Sequence, residues 1–127
     1  MTVRYLLDTH ALLWALGDPG TLAPAAREAI ATPANLIHVS IASLWECMIK
    51  ASIGKLELPP DFLDAIAETG YEVLPIRLSH LGVYRSLPMY HRDPFDRILI
   101  AQAQAESLVL MTRDHEIARY QVEMLAC

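Results

Sequence analysis

The chain reads as an α/β protein, a three-layer sandwich with a mainly parallel central sheet and helices on both of its faces. Three observations predict this. Short apolar runs rich in β-formers alternate with longer segments whose apolar residues recur at helical spacing. A capping side chain follows several of those runs within a few residues: Thr9, Ser40, Ser79 or Asp114. The 127 residues are 54% hydrophobic, enough for one domain, residues 1–127, with a substantial core.

Val3–Leu7 is a buried strand by its short apolar run. Thr9 caps a helix that runs to about Leu16, and Gly17-Asp18-Pro19-Gly20 ends it. Pro24–Ala31 is a second helix with Pro24 in its first turn. Leu36–Val39 is a strand, and Ser40 caps a helix that reaches Ser52 and stops at Gly54. Pro60–Glu68 is a helix closed by Gly70, and Tyr71–Ile76 a strand. Ser79 caps a short helix that ends before Pro88. Asp93-Pro94 opens a helix to about Glu106, with an acid at the cap and proline at the first helical position. Leu108–Thr112 is a strand, Asp114 starts a short helix to Arg119, and the tail around Val122 is an edge strand.

Composition narrows the function classes. No apolar stretch of about 18 residues lacks charge, so no transmembrane helix is expected. Asp8 and His10 interrupt the N-terminal apolar run, and no small-residue cleavage site follows cleanly, so the reading is a cytoplasmic protein. Cys47 and Cys127 are too few and too far apart for a disulfide scaffold or a cysteine zinc site. Cys47 reads as a small core residue and Cys127 as a free thiol. The net charge of −5 argues against a basic nucleic-acid-binding surface. Contact with nucleic acid would need a local basic rim or bound cations.

The acids carry the chemistry. Asp8 stands inside "RYLLDTHALLWAL", where an unpaired buried carboxylate is costly and must neutralise, pair or bind metal. Asp8 and Asp114 each follow a strand, so both project at the carboxyl edge of the sheet, where sites form in such folds. Both also suit helix N-caps, although Thr9 offers an alternative cap beside Asp8. Asp96 shares a helix face with Leu99, Ile100 and Ala103, in the first turn, where the helix N-terminus favours a carboxylate. Asp93 reads as the cap of that helix and an accessory acid. Glu46 lies on the flank of an apolar helix face with Lys50 one turn on, which reads equally as a surface ion pair or as a functional acid. Carboxylates that converge raise each other's pKa unless a cation intervenes. Oxygen ligation without a cysteine or histidine cluster suits Mg²⁺, or Mn²⁺. Such sites activate water and clamp phosphodiester oxygens, in two-metal versions with ions about 3.5–4 Å apart.

These features, "LLDTHALLWAL", "SIASLWECMIKASIGKLELP", "LPIRLSH" and "HRDPFDRILIAQAQAESLVLMTRD", resemble the PIN-domain family, and within it the VapC-type toxins of bacterial toxin–antitoxin pairs. The resemblance spans nearly the whole chain. It implies a PIN-like fold and a metal-dependent ribonuclease whose acid quartet falls on Asp8, Glu46, Asp96 and Asp114. It implies that Thr112 supports Asp114, and it favours Glu46 as a ligand. It also implies a homodimer and a small antitoxin whose tail enters the active-site groove.

Arg92, Arg97 and Arg113 adjoin the proposed acids and could position RNA phosphates. Thr9 is an accessory residue. His10 and His91 are weaker candidates for proton transfer. His38 reads as a strand residue, and Trp14 and Trp45 as core or dimer-face residues. Three other classes stay open. The first is a non-catalytic binding module on the same scaffold, which has no reason to concentrate repelling carboxylates. The second is a structure-specific DNA nuclease, for which no inserted arch is seen. The third is an aspartyl-phosphate phosphatase, which would want an acid where His10 stands.

Overall fold

A computed structural model describes residues 2–127. Five strands form one sheet: β1 (Arg4–Leu7), β2 (Leu36–Ser40), β3 (Glu72–Leu74), β4 (Val109–Thr112) and β5 (Met124–Ala126). Their spatial order is β3-β2-β1-β4-β5, and every pairing is parallel. The helices are α1 (Thr9–Gly17), α2 (Pro24–Ala31), α3 (Ile41–Ser52), α4 (Phe62–Glu68), α5 (Leu78–Ser86) and α6 (Pro94–Glu106), with 3₁₀ turns at Pro19–Thr21 and His115–Arg119.

Strand side chains alternate between the two faces, and each face has its own core. On one side Leu7 and Met111 pack with Ala11 and Leu12 of α1, Ala26 of α2, Cys47 of α3 and Phe62 of α4. On the other, Leu6 and Leu110 pack with Ile98, Leu99 and Ala103 of α6 and with Leu87. A parallel sheet buried on both faces explains why the strand sequences read as nearly continuous apolar runs. Among the described residues no helix is long and apolar enough to cross a membrane.

Several boundaries differ from the sequence reading. Asp8, not Thr9, caps α1: its Oδ1 accepts the Ala11 N–H at 2.8 Å. The Thr9 hydroxyl is drawn away to Glu46 on α3. The expected cap at Ser79 fails because α5 begins two residues earlier, at Leu78 with Arg77 in the cap position, and the Arg77 N–H donates to Nδ1 of the buried His80 at 3.0 Å. The helix expected from Pro60 starts at Phe62. The strand expected over Tyr71–Ile76 shrinks to Glu72–Leu74, since Pro75 has no N–H to extend the ladder. The tail strand lies at Met124–Ala126, beyond Val122.

Chain order places the site. The chain builds β1, β2 and β3 outward on one side, then returns to lay β4 and β5 on the other. The reversal falls between β1 and β4, the position where parallel α/β sheets open a crevice at their carboxyl edge. Asp8 follows β1 there, and its N–H donates to the Met111 carbonyl of β4 at 3.0 Å.

The 87–93 segment entering α6 is held by Arg97, which is 5% exposed. Its Nη1 donates to the carbonyls of Pro88 (2.9 Å) and His91 (3.3 Å) and to the Tyr120 hydroxyl (3.2 Å). The Tyr120 hydroxyl donates in turn to the Pro88 carbonyl at 2.7 Å and accepts the His91 N–H at 2.9 Å. Buried carbonyls stripped of their donors are costly. Arg97→Met is therefore expected to lower the unfolding free energy by about 2–4 kcal/mol in urea titration. A change below about 0.5 kcal/mol, the range of ordinary surface substitutions, would show that this clamp does not stabilise the fold.

Candidate active site

Five acids line one cavity of about 410 Å³ at the carboxyl edge: Asp8, Glu46, Asp93, Asp96 and Asp114. Each is placed by its position in an element. Asp8 and Asp114 stand just past the ends of β1 and β4. Asp8 caps α1, and Asp114 caps the 3₁₀ turn at His115–Arg119 by accepting the Glu116 N–H at 2.9 Å. Asp93 caps α6 through the N–H groups of Phe95 (2.8 Å) and Asp96 (3.4 Å). This turns Asp96, in the first turn, toward the sheet. Glu46 reaches in from the middle of α3. It is 8% exposed, so it is not the surface residue that its flank position allows.

Two groups of donors hold this negative charge. Glu46 accepts the Thr9 hydroxyl on Oε1 and the Lys50 ammonium on Oε2, the latter at 3.0 Å. His91 donates from Nε2 to Asp114 Oδ2 at 2.7 Å, and the same nitrogen lies 3.0 Å from Asp96 Oδ2. Its Nδ1 accepts the Asp93 N–H at 3.2 Å, which leaves Nε2 to carry the proton in the neutral ring. Thr112, fully buried, accepts the Asp114 N–H at 3.1 Å and hydrogen-bonds the Asp8 carboxyl.

The pKa pattern follows from these contacts. Burial pushes Asp8 up, against the Ala11 N–H and the Thr112 hydroxyl. Burial and then the neighbouring Asp93 push Asp96 up to about 7, and Asp8 and Asp114 add to it. Burial also acts upward on Asp114, but the His91 hydrogen bond and the Glu116 N–H outweigh it and the net shift is down. The hydrogen bond to Glu46 raises Lys50. The crowding felt by Asp96 is what a cation would relieve. Ligand atoms of His91, Asp96 and Asp114 lie within 4.8 Å of one another. An oxygen-rich donor set of this kind fits a hard divalent cation.

The opposite wall is planar and cationic. The Arg113 guanidinium lies 4.1 Å from the Trp14 ring centroid, and His10 stacks on Trp14 at 5.6 Å. Arg113 Nη2 is anchored on the carbonyls of Thr21 (2.8 Å) and Cys127 (2.7 Å).

The comparisons with known proteins agree with this architecture. The family model for the PIN domain matches residues 5–123. The chain belongs to the PIN domain family. No curated protein matches the sequence. Solved structures similar to this PIN domain include VapBC2 from Rickettsia felis bound to a DNA fragment from its promoter. That match has 17% identity and a TM-score of 0.75, covering 98% of this chain and 99% of that one. A DNA-bound VapBC from Salmonella typhimurium is 18% identical, TM-score 0.70, with 98% of each chain covered. A toxin–antitoxin complex from Klebsiella pneumoniae is 20% identical, TM-score 0.61, with 95% of each covered. At these identities the likeness is one of fold.

In this PIN domain Asp8, Glu46, Asp96 and Asp114 come together, with Asp93 and Thr9 beside them and Thr112 beneath. The three arginines do not share one location. Arg113 lines the cavity, Arg92 is exposed outside its lining, and Arg97 is buried on carbonyls, also outside the lining. Trp14 is part of the cavity wall as well as packing on the core. His38 is a buried strand residue, as its sequence context predicts. Cys47 and Cys127 are free and buried, and burial pushes both thiols up to about 11. His91, a weaker proton-transfer candidate from the sequence, has its ring beside Asp96 and Asp114. The available signal was its position two residues before the Asp93 cap, which ties the ring to the start of α6.

Asp96 generates a pH prediction. Its folded pKa of about 7 exceeds the ordinary value of 3.8, so between those pH values the folded state binds more protons than the unfolded state. Stability that this group contributes below pH 4 is lost as the pH rises toward 7, and the raised Asp8 adds in the same direction. In metal-free buffer, Asp96→Asn is expected to flatten that decline and to stabilise the protein at pH 8 by about 2–4 kcal/mol. Equal denaturation midpoints for both proteins across this range would contradict the assignment.

Proposed function

We propose that this PIN domain is a divalent-metal-dependent endoribonuclease, the toxin of a VapC-type toxin–antitoxin pair. The observation that carries the reading is the convergence of Asp8, Glu46, Asp96 and Asp114 in one cavity at the switch point of a parallel sheet. Those four acids, with His91 adjoining Asp96 and Asp114, are the groups that would hold Mg²⁺ or Mn²⁺. When bound, such an ion polarises phosphate oxygens and makes hydroxide available near neutral pH.

The protein's own groups do the rest. Thr9 and Lys50 fix the Glu46 carboxylate, and Thr112 ties the ends of β1 and β4 together. Arg113 and Lys50 face the cavity as the local basic groups that an acidic protein needs to meet a polyanion. The Trp14 and His10 rings supply a flat surface suited to an unstacked base. The choice of RNA over DNA rests on the VapC resemblance, as does the antitoxin partner, which the toxin–antitoxin complex among the structural neighbours supports.

The same reading includes a homodimer. Trp45, Leu78 and Leu81 are 59%, 86% and 50% exposed, beside an apolar groove lined by Trp45, Tyr84, Phe95 and Ile98. Contiguous apolar surface of this kind marks a protein interface. The groove lies on α3 and α6, the helices that carry Glu46 and Asp96, so a second copy seated there would flank the cavity.

The purified, partner-free chain is expected to cut cellular RNA into discrete fragments with Mg²⁺, and to lose that activity with EDTA or with Asp8→Asn. Asparagine is as good an N-cap as aspartate, so this variant keeps the cap of α1 while losing the ligand charge. Activity that survives both treatments would refute the metal-dependent mechanism. Light scattering should show a dimer that Trp45→Glu converts to a monomer; a monomeric wild-type chain at tens of micromolar would remove the dimer.

A further inference from the structure

The Glu46–Lys50 pair has the spacing of an ordinary i,i+4 ion pair, which is worth little on an exposed helix. Its setting is different. The Glu46 side chain is 11% exposed while that of Lys50 is 41% exposed, so a buried carboxylate draws a solvent-reaching ammonium back over the cavity. Five acids line that space against two permanent cations, Lys50 and Arg113. Arg113 is pinned by two carbonyls and by Trp14. Lys50 makes only the Glu46 contact among the described residues, on a flexible four-carbon stem. It is therefore the one cavity cation able to change partners.

Glu46 already has its other oxygen fixed by Thr9. A divalent cation drawn to Glu46 would repel the ammonium on Oε2, and a substrate phosphate is the nearest alternative anion. We propose that Lys50 is an exchangeable counter-ion: it pairs with Glu46 in the metal-free site and passes to a non-bridging phosphate oxygen of the RNA when a divalent cation takes its place. This inference rests on the metal-dependent nuclease reading. It assigns Lys50 a binding role for the substrate and an opposing role for the metal, a combination that a merely structural ion pair would not show.

The test compares the full wild-type chain with Lys50→Met and Lys50→Arg. Mn²⁺ binding is measured by isothermal titration calorimetry without RNA, and KM and kcat are measured on a single-stranded RNA that the wild type cuts. Lys50→Met is expected to bind Mn²⁺ about tenfold more tightly and to raise KM about tenfold, with kcat changed much less. Lys50→Arg should restore KM toward wild type, because the charge and reach are kept. Both quantities must move. If Mn²⁺ affinity is unchanged or weaker, or if KM is unchanged while kcat falls, Lys50 only orients Glu46 and the proposal is wrong. A folded wild-type chain that neither binds Mn²⁺ nor cuts RNA would instead overturn the nuclease reading, and this proposal with it.

Discussion

Carboxylates packed at one edge of a sheet repel each other, and the surroundings of the cavity are arranged around that repulsion. Asp8 is nearly buried, yet it has the Ala11 N–H and the Thr112 hydroxyl to face. Glu46 has Thr9 and Lys50. Asp114 has the Nε2–H of His91, and Asp96 lies 3.0 Å from the same nitrogen. Asp96 has the poorest compensation, and burial beside Asp93 lifts its pKa to about 7. This incomplete balance of charge is the ground on which a cation site is proposed here.

The supporting layer is as specific as the acids. His91 sits on no regular element; it reaches Asp96 and Asp114 because Arg97 and Tyr120 fasten the preceding segment through its carbonyls and one N–H. Arg97 adjoins Asp96 in sequence but points away from the cavity. One helical turn thus gives one side chain to the cavity and the next to the scaffold. Adjacent residues on a helix face different directions, and here that geometry separates cavity lining from support.

The sheet order links these local facts. With β1 flanked by β2 and β4, the two strands followed by Asp8 and Asp114 are neighbours, although 106 positions separate the acids in the chain. The helices that cover the sheet bring Glu46 and Asp96 over the same edge. The apolar core on each face fixes the strands rigidly enough for side chains from four elements to meet within one cavity.

Much of this was written locally. The apolar runs, the Asp93-Pro94 helix start and the acids after β1 and β4 arise from periodicity and capping chemistry, which depend only on near neighbours in the chain. The interchange at α1 shows the limit: Asp8 and Thr9 are both good caps, and the choice went to Asp8 because Glu46, 37 residues beyond Thr9, takes the threonine hydroxyl. Arg97 and Arg113 look alike beside their acids, yet one is buried on carbonyls and the other faces the cavity. The sequence by itself determined the alternation of strands and helices, the positions of the acids at element ends and the excess of negative charge. Only the tertiary structure decided which donors hold each acid, because those donors come from distant elements whose approach is set by sheet order and packing, and local pattern does not encode that approach.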